Sequence, residues 1–91
     1  MTGEPLIKPR PEVSILVPVR NEEATIGEVV TRLLALPLPP FEVIVIDDGS
    51  IDDTPKILDT FEEKIVVLRN EGLHGKGFAI RKGLEHVRHA G

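Results

Sequence analysis

The chain predicts an α/β fold in which three βα units form one parallel three-stranded sheet, ordered 3-2-1. Three observations carry this expectation. Short apolar runs rich in β-branched residues recur at Val13 to Val17, Val43 to Ile46 and Ile65 to Leu68, each too brief for a helix. The segments after each run carry apolar residues at helical spacing. The distance from one run to the next suits a crossover through a helix and is too long for a hairpin turn.

Composition narrows the class. A length of 91 residues allows one small domain, and 41% hydrophobic with 29% charged residues is a globular balance, not a disordered one. With no cysteine, disulfides and thiolate nucleophiles or metal ligands are excluded. Phe41, Phe61 and Phe78 are the only aromatics, too few for a platform that stacks single-stranded bases. The net charge of −4 also argues against nucleic acid as a partner. That charge is uneven: residues 1–68 carry −7 and residues 69–91 carry +3, and the positive part is rich in glycine. No apolar run is long enough for a membrane span, and the N-terminus lacks a signal-peptide core, so the expectation is a soluble, cytoplasmic chain.

Taken in order, residues 1–12 hold Pro5, Pro9 and Pro11 and predict a flexible arm ahead of a domain at 13–91. The first strand, Val13 to Val17, is expected to stop pairing at Pro18, which has no N–H to donate. Asn21 is expected to cap the first helix, with Glu22 and Glu23 at its positive end and Ile26, Val29, Val30, Leu33 and Leu34 on its buried face. Pro37, Pro39 and Pro40 end that helix before the second strand. Asp53 or Thr54 is expected to cap the second helix, with Pro55 near its first position and Ile57, Leu58 and Phe61 facing inward. After the third strand, a helix from about Lys76 places Ile80, Leu84 and Val87 on its apolar face, and Ala79 and Gly83 permit close packing.

Three loops leave the C-terminal ends of the strands and so lie at one edge of a parallel sheet: Pro18 to Glu23, Asp47 to Asp53 and Asn70 to Gly77. Open α/β sheets bind ligands at that edge. Asp47 and Asp48 either accept hydrogen bonds from ribose hydroxyls or a base N–H, or tighten the turn and cap the next helix. Gly75 and Gly77 let backbone approach a ligand, and Lys76 supplies a point charge suited to phosphate, although a lysine in a loop is commonly just solvated. His74 beside them has the same two readings. His86 and His89 stand three apart without a third metal ligand and suit the negative end of their helix. Neither a GxxxxGK[ST] loop nor a GxGxxG after the first strand is present, and nothing marks Ser14 or Ser50 as a nucleophile.

Together the three loops resemble the N-terminal part of family 2 glycosyltransferases of the GT-A fold, which is Rossmann-like. VSILVPVRNEEATI matches that family's strand, Pro-x-x-Asn-Glu and helix start. EVIVIDDGSIDDT matches its Asp-Asp-Gly-Ser turn, and NEGLHGKGFAIRKG its glycine-rich third stretch. The tone is nearest to polyprenyl-phosphate and dolichol-phosphate sugar synthases. The resemblance implies a nucleotide-diphosphate sugar as ligand, with Pro18, Val19, Arg20 and Glu22 lining the base and ribose pocket. It further implies that Asp48 accepts from the base, Asp47 supports the turn and Lys76 lies by the base or the phosphates. Arg20 stands where many members have an aromatic, and Ile51 and Asp53 depart from the family's usual turn.

The resemblance also implies a divalent metal, Mg or Mn, for the complete enzyme. The family's metal-binding Asp-x-Asp and its catalytic residues would fall beyond Gly91, so the chain reads as a nucleotide-sugar-binding fragment, inactive alone, with no catalytic or metal residue within it. The complete enzyme is expected in the cytoplasm or at the inner face of a membrane, its acceptor a polyprenyl phosphate. A free-standing, non-enzymatic α/β nucleotide-binding or interaction module is the alternative. A receiver-like domain is less suited, because its acidic pair should follow the first strand rather than the second. Finally, an apolar first strand at an unguarded sheet edge predicts a homodimer formed through it.

Overall fold

A computed structural model describes residues 11–71 and 75–90, with backbone only for Lys76 and residues 88–90. The expected residues 1–10 of the arm and the expected role of His74 lie outside the described residues. Strands β1 (Val13–Val19), β2 (Phe41–Asp48) and β3 (Val66–Asn70) alternate with helices α1 (Ile26–Leu34), α2 (Thr54–Asp59) and α3 (Lys76–Ala90). A short 3-10 turn at Glu62–Lys64 precedes β3. The sheet is parallel throughout, with β2 in the middle, β1 at one edge and β3 at the other. This is the predicted 3-2-1 order.

Burial follows from β2. Val43 to Asp48 are all buried, because this strand is covered on both faces. Its odd residues Val43 and Val45 join Val19, Ile26, Val30, Leu58 and Ile65 in one core beneath α1 and α2. Its even residues Ile44 and Ile46 meet Ala79 of α3 on the other face, with Leu16, Val66, Leu68 and Val87 around them. Each fully buried Val, Leu or Ile side chain contributes about 1.5–3 kcal/mol relative to exposure.

The structure corrects several expectations. β1 does not stop at Pro18: Pro18 pairs with Ile46 and Val19 with Asp47. An edge strand tolerates proline because the missing N–H can face away from the ladder. Asn21 is not the cap of α1, which begins at Ile26 with Thr25 before it; Asn21 has a left-handed φ of 51°. Asp53 occupies the N-cap position of α2 without a side-chain capping hydrogen bond. It is Asp52 whose Oδ1 accepts from the Thr54 N–H, at 2.8 Å.

The packing face of α3 is the expected one only in part: Ala79, Gly83 and Val87 pack against the sheet, but Ile80 and Leu84 do not. Ile80 and Leu84 are exposed, at 42% and 55%, while Ala79 is fully buried. Gly83 explains this, since a Cβ there would stand 3.0 Å from Leu16 Cδ2 and 3.1 Å from Ile46 Cδ1. The helix is drawn onto β1 and β2 through its small residues, which rotates the bulky stripe outward. Val87 alone of the expected apolar face packs inward.

Candidate functional site

Sheet register decides what meets at the C-terminal edge. Partners across a parallel sheet share a face, and Asp47 pairs with Arg69 whereas Asp48 pairs with Asn70. The adjacent carboxylates therefore point to opposite sides of the sheet. Asp47 faces α1 and α2 and is wholly buried. Its Oδ1 accepts from the Ser50 N–H at 3.0 Å, and its Oδ2 lies 3.5 Å from Arg69 Nε. The latter is an ion pair too long for a good hydrogen bond, and Oδ2 has no hydrogen-bond partner among the described residues.

Asp48 faces α3. The Gly75 N–H donates to its Oδ2 at 2.7 Å, and Asn70 Nδ2 donates to its Oδ1 at 3.3 Å. Gly75 takes φ +88°, a conformation open to glycine, and this directs its N–H at the carboxylate from the start of α3. Asn70 is itself 4% exposed, and its Oδ1 accepts from Lys82 Nζ at 2.7 Å. Lys82 also donates to the Arg69 carbonyl at 2.8 Å. Asn70 and Lys82 were not among the residues singled out from sequence, because only the register and the path of α3 bring them to Asp48.

The first two loops are sewn together by five hydrogen bonds. The Asn21, Glu22 and Glu23 N–H groups donate to Ser50 Oγ, Thr54 Oγ1 and Asp52 Oδ2. In return the Ile51 N–H donates to Asn21 Oδ1 and the Asp53 N–H to Glu23 Oε1, both at 2.8 Å. Much of the polar sequence in these loops thus serves the scaffold. Desolvation works to raise the Asp52 carboxyl pKa, but hydrogen bonds from the Thr54 hydroxyl and N–H, the Glu23 N–H and its own N–H outweigh it, leaving the pKa lowered.

Between β1 and α3 lies a cleft of about 220 Å³, lined by Pro18, Val19, Arg20, Glu22, Asp48, Gly75 and Ala79. It gathers five of the seven predicted site residues. Val19 borders it although its side chain belongs to the opposite core. Asp47 stands on the other face, tightening the turn. Lys76 opens α3 next to Gly75, and its side chain lies outside the described residues. A larger depression of about 390 Å³, around Phe41, Glu42 and Lys64, sits at the opposite end of the strands, away from these polar groups.

The comparisons with known proteins decide the family. Residues 14–90 match the model of glycosyl transferase family 2. The chain belongs to that family. It is 40% identical over 81 residues to a beta-monoglucosyldiacylglycerol synthase of Synechocystis sp., covering 82% of this chain and 17% of that one. It is also 40% identical over 86 residues to an undecaprenyl-phosphate 4-deoxy-4-formamido-L-arabinose transferase of Shewanella sediminis, covering 84% and 25%. Among solved structures, a Pyrobaculum calidifontis mannosyltransferase in complex with GDP-Man and Mn2+ superposes with a TM-score of 0.72 at 28% identity, over 85% of this chain and 24% of that one. TarS of S. aureus gives a TM-score of 0.72 at 32% identity, over 80% and 23%. The fold is that of the GT-A glycosyltransferases, and the chain spans a quarter or less of each of these four relatives.

The Pyrobaculum calidifontis mannosyltransferase holds Mn2+ in its complex. The residues described here do not fit such an ion: no three acidic or histidine side chains converge on a common point. Asp48 accepts from the Asn70 amide and the Gly75 N–H, and Glu22 Oε2 accepts from the Thr25 hydroxyl at 3.3 Å. No helix among the described residues is long and apolar enough to cross a membrane.

Proposed function

We propose that the cleft between β1 and α3 holds the nucleoside part of a nucleotide-diphosphate sugar, in a glycosyltransferase that passes the sugar to a polyprenyl-phosphate acceptor in the cytoplasm or at the inner face of a membrane. The observation that carries this reading is the meeting of Pro18, Arg20, Glu22, Asp48 and Gly75 in one cleft at the C-terminal edge of the sheet. A carboxylate only accepts, and Asp48 is accordingly assigned to a base N–H. Arg20 is exposed at the mouth and offers its guanidinium plane to the base. Lys76, at the start of α3, is assigned to the base or the phosphates. The relatives named for undecaprenyl-phosphate and diacylglycerol products support a lipid-linked acceptor.

Transfer itself is assigned to residues outside 1–91, together with the divalent metal. Titration of the chain with uridine and guanosine diphosphate, followed by NMR, tests the site. Shifts confined to residues 18–22, 47–50 and 75–77 are expected, and their absence at millimolar nucleotide overturns the reading. The open edge of β1 is assigned to pairing with a second copy of the chain; sedimentation showing a monomer at millimolar concentration overturns that part alone.

A further inference from the structure

Three residues of α3 and the turn before it, Gly75, Ala79 and Lys82, recur at i, i+4 and i+7 and so fall on one side of the helix. Two of them reach Asp48 by different routes. Gly75 does so directly through its N–H, and Lys82 does so through the side chain of Asn70. We propose that Lys82 is a positioning residue for Asp48, acting through the Asn70 amide. This rests on the reading that Asp48 contacts the nucleotide.

The chemistry of the three groups enforces the relay. Lysine only donates, so Lys82 can meet Asn70 only at Oδ1. With Oδ1 held there, Nδ2 is directed to the other side, where Asp48 Oδ1 accepts it. Asn70 is buried, so water does not readily take the place of either partner. The second bond of Lys82, to the Arg69 carbonyl, ties α3 to the end of β3 and fixes the ammonium's place. The Asp48 carboxylate is thereby gripped from β3 on one oxygen and from α3 on the other. Its plane is set before any ligand arrives, which lowers the ordering cost of binding.

The test uses the full chain with Lys82→Met, Lys82→Arg, Asn70→Ala and the Lys82→Met/Asn70→Ala pair. Two readouts are taken: the NMR resonances of the Asn70 side-chain amide and the Gly75 N–H, and the affinity for uridine and guanosine diphosphate. Lys82→Met is expected to move both resonances and to weaken binding about tenfold, whereas Lys82→Arg stays within about twofold of the parent. In the Asn70→Ala background, Lys82→Met should add less than about twofold further loss, the mark of a shared route. Unmoved resonances in Lys82→Met, or losses that multiply in the double variant, overturn the proposal. If Asn70→Ala does not fold, the contrast between Lys82→Met and Lys82→Arg decides it. If the parent chain binds neither nucleotide, the nucleotide reading fails while the two resonances still decide whether Lys82 positions Asp48.

Discussion

The two faces of the sheet differ in how they are covered. Beneath α1 and α2, seven buried apolar residues from all three strands or their flanks and from both helices close into one core. Beneath α3, three do so among the described residues, and the helix touches the sheet through Ala79, Gly83 and Val87. The polar edge follows the same division. Asp47, on the closed face, is turned wholly to internal partners, whereas Asp48, on the open face, borders a cleft. Two neighbouring carboxylates in one turn thus acquire different work from the face each is assigned by the strand's alternation.

A deletion in the closed core should do the most damage. Leu58 is 1% exposed, and Leu58→Ala should lower stability by about 2–5 kcal/mol, enough to unfold much of a small domain. Leu84, exposed at 55% on α3, should change it by no more than about 0.5 kcal/mol when made alanine. Urea denaturation of both variants measures the contrast. Next in size is Gly83→Leu, which drives a side chain into Leu16 and Ile46 and should cost about 1–3 kcal/mol. Because Gly75 just before α3 and Ala79 on it line the cleft, the proposed nucleotide reading expects this variant to lose binding as well, which titration of the still-folded fraction would report.

The two carboxylates distinguish the faces in a second way. Asp47→Ala strands the Ser50 N–H and leaves Arg69 without its partner, so it should reduce stability by about 1–3 kcal/mol. On the proposed nucleotide reading, Asp48→Ala should act chiefly on binding, weakening affinity by about tenfold or more. Equal effects of the two substitutions on both measurements would remove the distinction between the faces. Denaturation and titration on each variant settle it.

Part of this arrangement is legible along the chain and part is not. The strands and their order follow from apolar run length and crossover handedness, which are local or nearly local signals. The cleft is legible for the same reason: Pro18 and Asp48 lie at strand ends, and Arg20 and Glu22 follow on a loop, all of which a parallel sheet must bring to one edge. Asn21 is illegible as a scaffold residue, since a cap and a left-handed residue bonded to Ile51 use the same side chain. The outward turn of Ile80 and Leu84 is hidden because periodicity marks an apolar stripe without saying which stripe the sheet accepts. Close approach through Ala79 and Gly83 won over bulk. Asn70 and Lys82 depend on register, a long-range property to which spacing along the chain is blind.

The smallest expected effect concerns acid. Asp52 joins the first two loops by accepting from the Glu23 N–H through Oδ2 and from the Thr54 N–H through Oδ1. Desolvation opposes its ionisation, but those hydrogen bonds and the Thr54 hydroxyl prevail, so its pKa lies below the ordinary aspartate value. A carboxyl whose pKa is lower folded than unfolded binds its proton more readily in the unfolded chain. Its contribution to stability is therefore fully present above the unfolded value, near pH 4, and is lost as pH falls through the lower folded value. Asp52→Asn keeps an acceptor for one N–H but places an amide group where the second was received, and it cannot titrate. The variant should be less stable at neutral pH, and its deficit relative to the parent should shrink below about pH 4. Thermal unfolding midpoints of both chains between neutral pH and pH 3 give the check. A deficit that stays constant across that range would mean that Asp52 acts through shape alone and not through its charge.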